Sequence, residues 1–139
     1  MCSVPSSMKD RGPVPGTVIV TLLAQEDGDE GSVVTFGTAE SSCRLCDYAE
    51  YGMGWSQGKM VEGEYASIHL FAPMWKSKVD SDSDAILYGD AICYADNGQV
   101  KRATPRVDTA TGYAMDDATA DGYVLWYRDC CATAHAATA

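Results

Sequence analysis

Basic side chains and histidines are scarce in this chain of 139 residues. Lysine and arginine number 10 against 20 aspartates and glutamates, which gives a formal net charge of −10 at pH 7. Such a charge repels a phosphate backbone, so we expect no nucleic acid among the partners of this protein. Only His69 and His135 are available for histidine acid–base chemistry near neutral pH. His69 lies between apolar residues, where a half-buried strand histidine is the ordinary interpretation.

Long hydrophobic runs and catalytic motifs are also missing. No apolar stretch approaches the roughly 20 residues of a membrane-spanning helix, and Met1–Ser6 contains no apolar core of a signal peptide. We find no G-x-S-x-G, no H-E-x-x-H and no glycine-rich phosphate loop before a helix. Asp116 and Asp117 would project to opposite sides of an extended chain, which makes them a poor acid–base pair. We therefore expect no enzyme, no cofactor and no membrane partner.

The residues that are abundant favour β-structure. A hydrophobic fraction of 46% argues against disorder, and 13 glycines among many Val, Ile, Thr and Tyr residues are typical of strands and tight turns. We predict an all-β fold, a small antiparallel β-barrel or β-sandwich with an extended N-terminal arm and a long central loop excursion. The predicted parts are the arm 1–16, a single β domain 17–131 and a flexible tail 132–139. No internal repeat is apparent in the sequence.

Apolar, β-branched runs predict strands in the first half of the chain. Residues 17–23 are expected to form a central strand buried on both faces, which pairs with residues 32–36 across an acidic loop. Tyr65 to Phe71 is a further strand, ended by Pro73. Between them, residues 37–64 keep neither helical nor strand periodicity, so we predict a long excursion with one short helix near 44–51. Excursions of this length are commonly functional.

The strongest local signal is Asn97-Gly98, which predicts a two-residue type I′ hairpin because both of its central residues need positive φ. In such a hairpin Ala95 faces Val100, Tyr94 faces Lys101 and Cys93 faces Arg102. A last strand pair, near residues 107–115 and 123–128, is predicted across Asp121-Gly122. The C-terminal third is therefore expected to be a series of antiparallel strands.

The six cysteines leave their chemistry open. Cys43 and Cys46 have the C-x-x-C spacing of zinc sites and thiol redox proteins, but no second pair of ligands follows a zinc pattern. We weigh three interpretations: free thiols, a disulfide that joins this loop to the Cys130-Cys131 end, and a metal site that adds two ligands from among Cys130, Cys131, His69 and His135. Redox catalysis is disfavoured because no βαβ pattern surrounds the pair. We expect no bound metal.

A second metal-like pattern lies in the acidic segment Asp80-x-Asp82-x-Asp84. Carboxylates at alternate positions resemble the opening of a calcium loop. The pattern then fails, because Ala85 occupies the sixth position and Ala91 the twelfth, where glycine and a bidentate glutamate are needed. We interpret the segment as a solvated acidic turn.

The C-terminal third contains four short motifs in a fixed order. They are a strand that begins Gly-Asp (89–92), an Asn-Gly turn (96–98), a Gly-x-Ala strand (112–115) and a last strand that ends in Arg (121–128). In this order the motifs resemble those of the head decoration, or capsid cement, proteins of tailed bacteriophages. The resemblance covers about the last 45 residues of the 139, and more loosely residues 16–36. Because these motifs are structural glycines and turns, they bear on fold more than on chemistry.

The resemblance implies a non-enzymatic protein that binds the outer surface of a mature capsid, between major capsid proteins, as a homotrimer that stabilises the head. It implies residence in the virion, and in the host cytoplasm during assembly. It also implies that the arm and the aromatic excursion make the contacts with capsid or neighbouring subunits. The candidate contact residues are Pro13, Pro15, Tyr48, Tyr51, Met53, Trp55 and Trp75. The alternative interpretation is a virion- or tail-associated module that binds a receptor or glycan.

Overall fold

The computed structural model describes residues 18–71, 74–129 and 132. In these residues the regular structure consists of ten β-strands and one short 3₁₀ turn, without an α-helix. The strands form a closed five-stranded barrel and a second five-stranded sheet, which confirms the all-β class. The predicted arm 1–16 and all of the predicted tail except residue 132 lie outside the described residues. The proposed division into arm, domain and tail stays a prediction.

The barrel, which we call the N-terminal unit, contains the first five strands. In ring order β1-β3-β2-β4-β5, every neighbouring pair is antiparallel except β1 and β3, which run parallel through the pairs Leu23–Ser42 and Ala24–Cys43. The strands are β1 Val18–Ala24, β2 Val33–Phe36, β3 Ser42–Leu45, β4 Gly54–Ser56 and β5 Tyr65–Phe71.

The second sheet, which we call the C-terminal unit, has the order β6-β10-β9-β7-β8. Its two outer strands meet at one parallel bridge between Val79 and Val100. Read around that bridge, the order is β6-β8-β7-β9-β10. The strands are β6 Trp75–Lys78, β7 Ala91–Tyr94, β8 Val100–Arg102, β9 Gly112–Ala114 and β10 Tyr123–Arg128.

The two units are therefore copies of one topology, and this corrects the prediction that the chain holds no repeat. Each strand of the N-terminal unit has a counterpart with the same neighbours and the same strand directions in the C-terminal unit. The bridge Gly28–Met60 corresponds to Ile86–Ala118. The sequence conceals the duplication because the matched strands share few residues, as Val-Val-Thr-Phe in β2 and Ala-Ile-Cys-Tyr in β7 illustrate.

Three predictions for the first half were wrong. Strand β1 is not buried on both faces, since Val18 and Ile19 are 43% and 39% exposed. Strand β1 pairs with β3 and β5 and not with β2, because β3 returns between them to close the barrel. The short helix predicted near 44–51 is absent: residues 44 and 45 end β3, and the chain then turns at Ala49, whose φ is 66°. Residues 37–64 thus contain β3 and β4, two short strands that were not predicted. Strand β5 was predicted with its correct bounds.

The Asn97-Gly98 turn forms, but its register differs from the prediction. Both residues have positive φ, 61° and 74°, as expected. However, Tyr94 pairs with Val100, which shifts every predicted pair by one residue. The turn has three residues, Asp96–Gly98, and not two. The Gly98 N–H donates to the Cys46 carbonyl at 2.7 Å, so the tip of this hairpin is fixed against the N-terminal unit.

The two units share one core. Val33 and Cys46 of the N-terminal unit pack against the interior of the C-terminal unit, which is built on Trp75 and Trp126. A separate cluster fills the N-terminal barrel, with Val34, Cys43 and Ile68 at its centre. No helix in the described part of the chain is long and apolar enough to cross a membrane.

Candidate interaction surfaces

The N-terminal barrel opens at one end into an apolar mouth. Strand β3 pairs only with the last two residues of β1, so the first part of β1 faces the β2–β3 turn across a gap. This gap is a cavity of about 390 Å³. On its rim, Phe36 leaves 64% of its surface exposed. The lining residues are Val20, Leu22, Phe36, Met53 and Leu70, with the turn residues 37 and 39–42.

Tyr48 and Tyr51, both predicted as contact residues, lie on the loop between β3 and β4. Tyr51 is 56% exposed and stacks on Phe36 at 6.3 Å between ring centroids. The Arg128 guanidinium lies 4.8 Å from the Tyr51 ring. The Tyr48 hydroxyl donates to Asp108 Oδ1 at 2.8 Å, and Lys101 lies over its ring. Tyr51 therefore extends the mouth, whereas Tyr48 connects the two units.

The other predicted contact residues are distributed differently. Met53 lines the mouth, and Trp55 stacks on His69 at 4.3 Å, partly buried. Trp75 is only 2% exposed and packs at 5.0 Å from Trp126, so it belongs to the core and presents no ring to a partner. Pro13 and Pro15 lie outside the described residues. Whether any of these side chains touches a capsid stays a prediction.

The cysteines of the C-x-x-C pair point to different cores. Cys43 faces the barrel interior, while Cys46 packs in the core that the two units share. Burial raises the pKa of Cys43, and burial together with Glu50 and Asp47 raises that of Cys46 to about 12. Both are free thiols, as is buried Cys93. Cys130 and Cys131 lie outside the described residues.

Among the described residues, no cluster of three or more His, Cys, Asp or Glu side chains is arranged to hold a metal ion. In the 80–84 turn, the Asp80 carboxylate accepts the Asp82 N–H at 3.1 Å, which is the geometry of an acidic turn. His69 is partly buried against Trp55, and burial lowers its pKa. The imidazole is therefore neutral near pH 7.

A carboxylate orders the β3–β4 loop and its counterpart, the β8–β9 loop. Glu50 accepts the Asp47 N–H at 2.9 Å and pairs with Arg44. In the C-terminal unit, Asp108 accepts the Thr104 N–H at 2.8 Å and lies 3.8 Å from Lys101. The Arg44 hydrogen bond and the Asp47 amide lower the pKa of Glu50 to about 2. Both loops are thus fixed in shape by the same device.

Sequence reasoning missed several exposed apolar side chains. Phe36 ended the predicted strand 32–36, Val107 began the predicted strand 107–115, and Leu87 and Tyr88 were assigned to no strand. In the structure Leu87, Tyr88 and Val107 are 58%, 69% and 72% exposed. The signal that was available is the spacing of glycines: Gly31 and Gly54 are as far apart as Gly89 and Gly112. That repeat would have placed Leu87 and Tyr88 in a turn directly before a strand.

The fold is similar to that of a solved phage protein. The crystal structure described as the head fiber gp8.5 N base in bacteriophage phi29 superposes with a TM-score of 0.69. The match covers 87% of this chain and 99% of that one, at 11% sequence identity. No protein-family model matches the sequence, and no curated protein matches it. The architecture of this chain is therefore that of the phi29 head fiber base, with a sequence that has almost nothing in common with it.

Proposed function

We propose that this protein is a non-enzymatic structural component of a bacteriophage head. The observation that carries the proposal is the fold, shared over 87% of the chain with a phage head fiber base. The sequence motifs of the C-terminal third, which resemble phage decoration proteins, point to the same class. The free thiols of the described residues, Cys43, Cys46 and Cys93, are buried and have raised pKa values, which is the opposite of an activated thiolate nucleophile.

In this proposal the chain binds the outer surface of the mature capsid as a homotrimer, in contact with the major capsid protein. It binds the assembled lattice and stabilises it by mass action, because a ligand that binds one state favours that state. Three linked copies bind more tightly than one copy through avidity. The protein is present in the host cytoplasm during assembly and afterwards on the virion.

Two tyrosines at matching positions are the capsid contact that we propose. Tyr65 begins β5 and Tyr123 begins β10, and they are 71% and 41% exposed. Tyr65 pairs with Leu23 and Tyr123 pairs with Lys78, at the same place in the ladders of the two units. Tyrosine is common among the residues that dominate interface energies. A trimer presents this pair three times, which suits a contact around a threefold position.

The test is co-sedimentation of the purified protein with mature capsids and with unexpanded proheads of the same phage. We expect saturable binding to mature capsids, and at least a tenfold loss of affinity in the double variant Tyr65→Ala, Tyr123→Ala. The double variant must keep the wild-type mass in light scattering. A change of mass would mean that the loss of capsid affinity results from loss of the oligomer and not from loss of a capsid contact. Absence of binding to any capsid, or retention on a glycan array instead, would contradict the proposal.

A further inference from the structure

The contact between the two units of one chain has a defined geometry. The loop 46–52 of the N-terminal unit covers Tyr94 and the Asp96–Gly98 turn, which we call the rim of the C-terminal unit. Gly52 lies against the Tyr94 ring, where a Cβ would collide with it, and Tyr51 lies under Arg128. The Tyr48 N–H donates to Asp96 Oδ1 at 3.0 Å. A hairpin tip and an aromatic rim thus receive a loop of the other unit.

Because the two units have the same topology, each residue of this contact has a counterpart at the same position in the other unit. Phe36 corresponds to Tyr94, because they pair with Cys43 and Val100 at the same place in each ladder. The β2–β3 turn corresponds to the Asp96–Gly98 turn. The loop 103–110 corresponds to the loop 46–52, and Arg106 repeats the positive φ of Ala49, 66° in both.

Among residues 18–71, 74–129 and 132, one of the two possible contacts of this kind is made and the other is not. The rim of the C-terminal unit is covered by the loop of the N-terminal unit. The equivalent rim, at the Phe36 mouth, and the equivalent loop, which carries Val107, are both exposed among the described residues. In the described part of the chain, the Phe36 rim and the Val107 side of the loop therefore lack the contact that their counterparts make, although Asp108 of the loop does accept the Tyr48 hydroxyl.

The chemistry of the two unused surfaces matches. The mouth is apolar and has Glu40 on its edge. The loop presents Val107, 72% exposed, next to the exposed cation Arg106. The mouth can therefore receive the valine side chain while its acidic edge meets the arginine.

The contact between the units has a second part, in which both partner residues differ between the contact made within the chain and its unused counterpart. Within the chain, Asp29 forms a salt bridge with Lys78 at 3.2 Å, and Gly31 lies against the Lys76 carbonyl. The counterparts of Asp29 and Lys78 are Leu87 and Leu23. Leu87 is 58% exposed, and nothing lies within 4 Å of the Cβ position of Gly89. A charged pair inside the chain thus corresponds to two leucines on the unused surfaces.

We propose that the Phe36 mouth of the N-terminal unit binds the Val107 loop of the C-terminal unit of a second copy, head to tail. Such a heterologous contact must close into a ring or grow into a filament. Three copies then form a ring of six units in which one kind of contact repeats, alternately within and between chains. This deepens the homotrimer of the proposed function by naming its interface, and it does not depend on capsid binding.

The primary test is sedimentation velocity of wild type, Phe36→Asp and Val107→Asp. We expect a trimer for wild type and a monomer for each variant, with unchanged circular dichroism. An equimolar mixture of the two variants keeps one intact mouth and one intact loop, so we expect 1:1 heterodimers and no trimer at high micromolar concentration. Val61→Asp is the control: Val61 is 41% exposed and belongs to neither named surface, so this variant is expected to remain trimeric.

A charge reversal avoids any effect of apolar substitution on folding. Glu40→Lys and Arg106→Glu are each expected to weaken assembly at least fivefold, and the double variant is expected to recover most of it. A monomeric wild type, trimers of Phe36→Asp or Val107→Asp, trimers in their mixture, or no recovery in the charge-reversed double variant would overturn the proposal. Because this readout needs no capsid, a trimer that binds no capsid would refute the proposed function alone.

Discussion

The N-terminal and C-terminal units have the same topology but fill it differently. Val20 pairs with Ile68 in the first unit, and Trp75 pairs with Trp126 at the same place in the second. Two tryptophans fill the interior of the C-terminal unit, whereas smaller side chains leave a cavity of about 390 Å³ in the N-terminal mouth. The same topology thus encloses a filled core in one unit and leaves an open apolar surface in the other. The volume of the interior side chains determines which of the two forms.

The largest expected effect is the loss of the tryptophan core. Trp126→Ile introduces the residue that the N-terminal unit has at this position, Ile68. Trp126→Ala removes all of the side chain beyond Cβ. Because Trp126 is fully buried and contacts both Trp75 and Tyr94, we expect Trp126→Ala to lower the free energy of unfolding by about 3–5 kcal/mol. Urea denaturation measures it. A loss below about 1 kcal/mol would show that the filled interior does not stabilise the chain.

A matched pair of glycine substitutions tests the duplication itself. A Cβ at Gly54 would fall against the His69 carbonyl oxygen, and one at Gly112 against the Tyr127 carbonyl oxygen. We expect Gly54→Ala and Gly112→Ala each to destabilise the protein by about 2–3 kcal/mol, since neighbouring strands must separate. Gly58→Ala, which meets nothing within 4 Å, is the control. Equal stability of Gly54→Ala and wild type would refute the equivalence of β4 and β9.

Val20→Trp makes the opposite exchange and copies Trp75 into the N-terminal mouth. The cavity has room for a larger side chain, so we expect the free energy of unfolding to change by less than about 1.5 kcal/mol. Self-association is expected to disappear because the mouth is filled. Light scattering and urea denaturation on the same sample measure both quantities. A variant that unfolds would show that the mouth is too tightly packed to accept the ring.

The smallest expected effect concerns acid stability. The pKa of Glu50 is lowered from 4.5 to about 2 in the fold, so its contribution is present above pH 4.5 and is lost as pH falls toward 2. The pKa of Asp108 is also lowered, so its contribution to stability is likewise lost in acid. Burial opposes this shift, but the Thr104 amide, the Tyr48 hydroxyl and Lys101 keep the pKa below the ordinary value. We expect the urea midpoint to depend less on pH in Glu50→Gln and in Asp108→Asn than in wild type. A pH dependence that is unchanged in both would exclude these pairs as its source.

Local signals predicted part of the fold. Strand β5 was predicted with correct bounds and β10 closely, because β-branched and aromatic runs there are bounded by Gly, Pro or acidic turns. Strands β3 and β4 were missed because Ser-Cys-Arg-Leu and Gly-Trp-Ser have little strand preference. Their ladders with β2 and β5 impose the extended conformation. Tertiary pairing overrides propensity in short strands.

The candidate surface was predicted only in part for the same reason. Residue type pointed to Tyr51 and Met53, which do line or extend the mouth. It also pointed to Trp75, which the position opposite Trp126 buries. Phe36 and Val107 were not selected, since a single aromatic or aliphatic side chain in a sequence does not show whether its face is covered. That depends on the repeat, which the glycine spacing only suggests and the strand pairing makes visible.

The seam of each unit has a mechanical consequence. Two residue pairs join β1 to β3, and a single bridge joins β6 to β8, whereas six residue pairs join β1 to β5. Pulling a single unit open would therefore break the fewest backbone hydrogen bonds at its seam. The unit would open there and keep its other ladders, so that the seam yields before any strand is lost.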